Sequence, residues 1–381
     1  MKKYIYTSIL IAALAFLPLA SFAANIDTSA KQAIVFDVET GTVLLDKNAD
    51  ERMPTSSMSK VLTAYVIFDA IKAGTLKPDD TFTVSEKAWR KGGSKMFVEV
   101  NKQVEIMDLL RGVIIQSGND ATIVLAEGLS GSEDAFAAEM NSKAKELGMD
   151  NSHFMNASGW PDPEHYSTAR DLGKLAKALI ENHAEYYKIY SEKEFSYNNI
   201  PQQNRNPLLY QNIGADGIKT GHTEIGGYGL IGSAVKETPD GKRRVILVIN
   251  GLESSAARAQ ESKKLMQWAL NSFKNETLVT ANSKVGIADV LLGQADTVDL
   301  VVKDDVTLTI PHNAENTITL TTEYNGPIKA PITAGQEIGV LKVTIPGQPD
   351  TSHPIFAANA VEAKGFIAQT LYKAKALVLG Q

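Results

Sequence analysis

Hydrophobic and polar positions follow one period over most of the chain and another near its end. Residues 32–37 and 42–46 are apolar, β-branched runs on either side of Glu39-Thr40-Gly41, which predicts two strands and a hairpin. Past Pro54, Leu62, Tyr65, Val66, Asp69 and Ala70 recur at helical spacing until Gly74. Proline suits a helix entry, so a mostly buried helix is predicted behind Ser57. Helical spacing returns over 105–115, where Ile106, Leu109, Leu110 and Val113 share a face, then over 121–127 and 136–147. Thr168 with Asp171 predicts a capped start to a helix over 172–180. Residues 227–235 and 243–250 read as strands around Pro239-Asp240-Gly241-Lys242, and 256–273 as a helix.

From Thr277 the period falls to two. Short runs at 285–287, 298–302, 306–310, 317–322 and 338–345 are separated by turns such as Asn325-Gly326-Pro327, predicting a small all-β domain. Residues 356–379 read as one helix. Within it Phe366, Thr370, Lys373, Ala374, Leu377 and Val378 form a stripe bordered by Lys364 and Lys375. The pattern therefore predicts an α+β domain over 24–276, an antiparallel sheet with helices, then an all-β domain over 277–355 and a C-terminal amphipathic helix over 356–381.

The first residues have a different purpose. Lys2 and Lys3 precede an apolar stretch at 9–20, too short for a permanent membrane span, and Ser21-Phe22-Ala23 supplies small residues for cleavage. Residues 1–23 are read as a signal peptide and the protein as exported. The 381 residues contain no cysteine, so thiol and zinc-thiolate chemistry are excluded and stability falls to the core. The net charge of −6 has both signs mixed, which offers no basic field to nucleic acid.

Candidate chemistry lies in three short motifs. Ser57-Met58-Ser59-Lys60 opens the first helix, and a spacing of three puts Ser57 and Lys60 on one face. A hydroxyl beside an amine can act as nucleophile and base. Lys60 accepts a proton only when neutral, which costs about 4–5 kcal/mol at pH 7 for an unperturbed lysine; burial and a second cation lower that cost. Lys219, in Lys219-Thr220-Gly221, is the candidate second cation and a binder of an anionic substrate group. Ser117-Gly118-Asn119 lies at a helix break. Ser117 can relay a proton to a leaving amine, and Asn119 can hold a substrate amide or orient Lys60. Small residues at Gly118 and Gly221 leave room for substrate backbone. An oxyanion hole is expected from the backbone N–H of Ser57 and one near His222.

Motifs of this type, in this order, occur in β-lactamases and penicillin-binding proteins. With Gln116-Ser117-Gly118-Asn119-Asp120-Ala121, Tyr166-Ser167-Thr168-Ala169-Arg170-Asp171 and Lys219-Thr220-Gly221-His222-Thr223, the mature chain resembles the serine D-Ala-D-Ala carboxypeptidases, the low-molecular-mass penicillin-binding proteins of the five/six type. The resemblance implies an acyl-enzyme on Ser57, base Lys60, proton relay Ser117, carboxylate-binding Lys219, and substrate contacts at Asn119, Thr220, Gly221 and His222. It implies removal of the last D-alanine from peptidoglycan pentapeptide stems, inhibition by β-lactams, no metal or organic cofactor, and a periplasmic protein peripheral to the membrane through its C-terminal helix. Gly118 departs from the acidic residue of the β-lactamase motif, and the C-terminal segment is shorter than the family's anchor.

Two other functions compete. A β-lactamase would need a deacylating loop carboxylate; Glu164 lacks an asparagine four residues on and reads as a solvated group. A catalytically weak cell-wall binder would have no need of Lys60. His153, His165 and His222 lack metal-site spacing, Trp89, Trp160 and Trp268 form no stacking row, and Arg258 reads as a carboxylate binder or a structural ion-pair partner.

Overall fold

A computed structural model describes residues 26–238, 241–312, 314, 317–346, 348–367 and 370, and a short strand at Tyr4–Tyr6. The remainder of the signal-peptide segment, turn residues Pro239 and Asp240, and the predicted amphipathic helix beyond Ile367 apart from Thr370 lie outside the described residues. The chain divides into two units, residues 26–271 and residues 272–381 with 1–25.

The first unit is α+β. Strands β1 (Gln32–Asp37), β2 (Val43–Lys47), β3 (Ala215–Thr223), β4 (Gly227–Thr238) and β5 (Gly241–Leu252) form an antiparallel sheet in the order β2-β1-β5-β4-β3. Alternation along β1 explains its position. Ala33 and Val35 pack in one cluster with Val245, Leu247 and Ile249 of β5 and with Leu265 and Met266. Ile34 and Phe36 point the other way, into a larger cluster with Ile246 and Val248. A strand with both faces apolar belongs in the middle of a layered domain.

The larger cluster is built on helices α1 (Lys60–Lys72), α2 (Ile106–Ile114), α3 (Asn119–Ser130), α4 (Glu133–Glu146) and α5 (Ala169–Asn182). Every residue of α1 from Lys60 to Phe68 is buried, so it is a core helix and not an amphipathic surface one. The opposite face of the sheet is covered by α6 (Ser255–Ser272). The Thr168 cap is as read from the sequence: its side chain accepts from the Asp171 N–H at the start of α5.

In the second unit, strands Lys284–Leu291, Thr297–Val301, Thr319–Tyr324, Glu337–Thr344 and Thr351–Ala357 share a sheet, with Tyr4–Tyr6 and Ile328–Lys329 at its edges. Phe273–Val279 pairs with Val306–Pro311 as a separate ribbon. Its core includes Leu300, Ile310, Leu341 and Ile355.

Two sequence readings need correction. The helix predicted over 256–273 stops at Ser272, and Phe273 begins a strand that belongs to the β unit. The helix predicted from 356 does not start there: Phe356 and Ala357 pair with Val301 and Leu300, and Val361 bridges to Ile332. An alanine-rich segment of good helix propensity is held extended by tertiary pairing, which outweighs so weak a preference.

Candidate active site

The site forms where the start of α1, the start of α3 and the end of β3 converge. Ser57 lies on a 3₁₀ turn, Ser56–Ser59, that runs directly into α1. The turn is tightly held. Ser56 has φ of 51°, and its Oγ lies 2.9 Å from Thr223 Oγ1 at the end of β3. Ser59 Oγ lies 2.5 Å from Thr55 Oγ1 and 2.8 Å from His165 Nε2. The Met155 N–H donates to His165 Nδ1, so Nε2 carries the proton and donates to Ser59. Burial pushes the His165 pKa down to about 4, which keeps this ring neutral.

Lys60 Nζ is 2.8 Å from Ser57 Oγ, 2.7 Å from Asn119 Oδ1 and 2.7 Å from the Ser158 carbonyl oxygen. The residue is 1% exposed. Burial, then the positive charge of Arg205, pushes its pKa down to about 7; Asp120 opposes the shift and Lys91 adds to it. A neutral amine has two protons and one lone pair. Asn119 Oδ1 and the Ser158 carbonyl can only accept, so they take the two protons. Ser57 is the one partner of the three that can donate, and the lone pair is left facing its hydroxyl.

Asn119 is fixed by its other end, Nδ2 donating to the Gly92 carbonyl at 2.9 Å. Of the two roles read for it, the observed contact is the orientation of Lys60. Ser117, buried with φ of 59°, precedes the first turn of α3. Next along the helix, the Asp120 carboxylate accepts from the backbone N–H groups of Met96, Phe97 and Val98 at 2.8, 2.9 and 3.3 Å. It thereby pins the segment whose Gly92 and Ser94 carbonyls hold Asn119.

Lys219, Thr220 and Gly221 lie well inside β3, and all three are buried. Burial, with Lys60, Arg205 and Arg258 nearby, holds the Lys219 pKa well below the usual lysine range. A Cβ on Gly221 would lie 2.9 Å from the Thr55 carbonyl oxygen and 3.2 Å from Ser56 Cβ, so only glycine lets β3 approach the nucleophile turn this closely. The His222 side chain is exposed and stacks on Tyr228, with ring centroids 3.9 Å apart. Arg258 is buried and donates to the Gly221 carbonyl at 3.3 Å, which makes it a support for β3.

Arg205, Asp120, Lys91 and Ser158 were not singled out by sequence. Arg205, bonded to Ser94 Oγ, places a third cation beside Lys60 and Lys219. Asp120 had a usable signal, an acid in the first turn of a helix behind Ser117-Gly118-Asn119. Glu164 is exposed and does not reach Lys60, whereas His165 of the same loop is buried against Ser59. Among the described residues no group of three His, Asp or Glu side chains is placed to hold a metal ion.

Residues 20–253 match the family described as D-alanyl-D-alanine carboxypeptidase, and residues 273–363 match the penicillin-binding protein 5 C-terminal domain. The chain is 35% identical over 350 residues to the D-alanyl-D-alanine carboxypeptidase DacA of Escherichia coli K12, covering 90% of this chain and 86% of that one. The crystal structure of DacD from Francisella tularensis is similar with a TM-score of 0.80 and 33% identity, covering 92% of this chain and 98% of that one. Penicillin-binding protein 5 from Haemophilus influenzae is similar with a TM-score of 0.75 and 36% identity, covering 88% and 98%.

Proposed function

The chain belongs to the D-alanyl-D-alanine carboxypeptidase family, and we propose that it performs that reaction through a serine acyl-enzyme on Ser57. The substrate is the D-Ala-D-Ala end of a peptidoglycan stem. Ser57 Oγ attacks the carbonyl carbon of the penultimate D-alanine while its proton passes to the lone pair of neutral Lys60. As the C–N bond breaks, protonated Lys60 returns that proton through Ser117 to the leaving amine, so D-alanine departs and Lys60 is neutral again. Water, deprotonated by the same lysine, then attacks the ester and frees Ser57.

The supporting observation is the Lys60 environment: a buried amine 2.8 Å from a serine hydroxyl, its two protons claimed by obligate acceptors. With a pKa of about 7, about half of it is neutral at pH 7. Lys219, Thr220 and Arg205 receive the terminal carboxylate, and the backbone N–H groups of Ser57 and His222 receive the oxyanion. Asn119 holds Lys60 in line, and Gly221 admits substrate backbone beside β3. A β-lactam would enter as a stem mimic and remain as an adduct, since the partners of Lys60 are Ser57, Asn119 and the Ser158 carbonyl, with no loop carboxylate among them to help deacylation.

The same reading makes the protein an exported, periplasmic one in peripheral contact with the membrane. The test of the chemistry is direct. After exposure to benzylpenicillin, the mass of the native protein should rise by one penicillin, on the peptide that contains Ser57. Ser57→Ala should lose both adduct and carboxypeptidase activity with an unchanged circular dichroism spectrum. An adduct that persists in Ser57→Ala and vanishes in Ser117→Ala would reassign the nucleophile.

A further inference from the structure

Of the two acceptors that claim the protons of Lys60, Asn119 Oδ1 is fixed by its own amide, but the Ser158 carbonyl sits in a loop without regular structure. Its direction is set within residues 156–160. Asn156 Oδ1 accepts from the Ser158 N–H at 3.2 Å, the Ser158 hydroxyl at 3.1 Å and the Trp160 N–H at 2.9 Å. From the other end of the same amide, Nδ2 donates to the Trp160 carbonyl at 3.0 Å. The Ser158 carbonyl belongs to the peptide unit between residues 158 and 159. Asn156 holds the unit before it through the Ser158 N–H, and the unit after it through the Trp160 N–H. Peptide units are rigid planes joined by two soft torsions per residue, so clamping both neighbours leaves the middle unit little freedom to rotate.

The closed turn is docked on α1 at two adjacent points. The Ala157 carbonyl accepts from Thr63 Oγ1 at 2.6 Å, and the Ser158 carbonyl from Lys60 Nζ at 2.7 Å. Lys60 and Thr63 are three residues apart on one face of the helix. Two successive carbonyls reach one helix face only where the backbone turns between them, and Asn156 closes that turn. Ala157, Ser158 and Gly159 are buried, whereas Asn156 is partly exposed, and its described hydrogen bonds all stay within the loop. Asn156 therefore acts on the site through another residue.

We propose that Asn156 is a positioning residue for the general base: by closing the turn over 156–160 it aims the Ser158 carbonyl at Lys60 and so fixes where the lone pair of the amine points. The inference rests on the reading of Lys60 as the base for Ser57. Asparagine suits the task. A carboxylate could accept the same three bonds, but it could not donate to the Trp160 carbonyl, and it would put a negative charge near a lysine that works uncharged. The charged groups that face Lys60 are Arg205, Asp120 and Lys91, with Lys219 near them and neutral His165 behind the nucleophile turn. Against the 156–160 turn itself, Lys91 lies over the Trp160 ring, and Glu133, paired with Lys87, accepts the Ala157 N–H at 3.4 Å. Replacing Asn156 by alanine changes the charge of none of these groups.

The pH dependence of benzylpenicillin acylation tests the role, measured for the native protein and three variants with the melting temperature as the readout of folding. Turning the Ser158 carbonyl away removes an acceptor that favours the ammonium form. The midpoint of Asn156→Ala should therefore fall below the native one by about one pH unit, the worth of one hydrogen bond to a charged group. Its plateau rate should fall at least tenfold, because the lone pair no longer faces Ser57. Asn156→Asp keeps the acceptor and adds a charge, so its midpoint should rise while its plateau stays within about threefold of native. Asn141→Ala is the structural control. Asn141, on α4, holds the same loop through two bonds to the Phe154 backbone, away from Lys60. That variant should melt lower and keep the native midpoint and plateau. An unmoved or raised midpoint in Asn156→Ala, or an equal plateau loss in Asn141→Ala, overturns the role of Asn156 and leaves Lys60 standing as the base. If Asn156→Ala does not fold, Asn156→Asp decides: an unmoved midpoint, or a plateau loss of about tenfold or more, counts against the role. A native profile that is flat from about pH 5.5 to 9 overturns the base and the positioning role together.

Discussion

At the residue scale, the proposed chemistry depends on one buried amine whose pKa is held down to about 7. Lys60 was readable because a spacing of three on a helix is a local fact, and the 2.8 Å contact to Ser57 follows from it. What tunes it was not readable. Asn119, Ser158 and Arg205 are 59, 98 and 145 positions away, and only the fold brings them together. The sign of the pH dependence follows from the shift. Only neutral Lys60 can take the Ser57 proton, so acylation falls as pH drops through the folded pKa of about 7. The second-order rate of benzylpenicillin acylation should rise with pH, reach half its plateau near 7, and flatten well before the range of a free lysine. A rate independent of pH from about 5.5 to 9 would contradict a neutral base. Lys60→Arg should acylate at least 1,000-fold more slowly at every pH, because a guanidinium keeps its charge.

At the element scale, three elements meet, and the loop over 151–166 locks the nucleophile turn from behind. Periodicity found α2, α4 and α5 because each buries positions at helical spacing, whereas α1 and α3, buried on all sides over most of their length, read as apolar runs. It did not find the loop's packing, which has no period. Nor did it find Thr351–Ala357, where Pro354 reads as a strand breaker and the residues that follow read as helix. Gly159 is the loop's closest approach. Its φ is 76°, and a Cβ there would lie 1.7 Å from the Ser56 carbonyl oxygen. Gly148 in the same unit has φ of 69° and nothing within 4 Å of that position. Both glycines would incur about 1–2 kcal/mol of left-handed strain as alanine. Only Gly159→Ala must also push the nucleophile turn away. It should lose at least tenfold in acylation rate and melt several degrees below Gly148→Ala, which should acylate normally. Matching acylation rates in the two variants would show that this contact does not set the position of Ser57.

At the scale of the whole molecule, two cores are built from different periods, and the change at Thr277 marked the second correctly as β while placing its start a few residues late. The strand Phe273–Val279 was missed because Lys274, Asn275 and Glu276 interrupt its apolar pattern; it exists because Val306–Pro311 pairs with it. The residues of the proposed chemistry all lie in 26–271, and the last residues of the chain lie outside that unit. Among the described residues no helix is long and apolar enough to cross a membrane. Phe366 and Ile367, at the end of the described chain, are 85% and 76% exposed. Beyond them the sequence continues the stripe of Thr370, Ala374, Leu377 and Val378, with Lys373 and Lys375 close by. Together with Lys364, three lysines near anionic lipid contribute on the order of 1 kcal/mol each, and the apolar side chains add a comparable total. That sum gives reversible attachment, weakened by salt, and not insertion. Full-length mature protein should sediment with phosphatidylglycerol vesicles at low salt and be released at high salt. Deleting residues 365–381 should abolish sedimentation while leaving benzylpenicillin acylation and turnover of a soluble D-Ala-D-Ala peptide within about twofold. If the deletion instead lowers the melting temperature, and the full-length chain never sediments, the segment belongs to the β unit and the membrane reading is wrong.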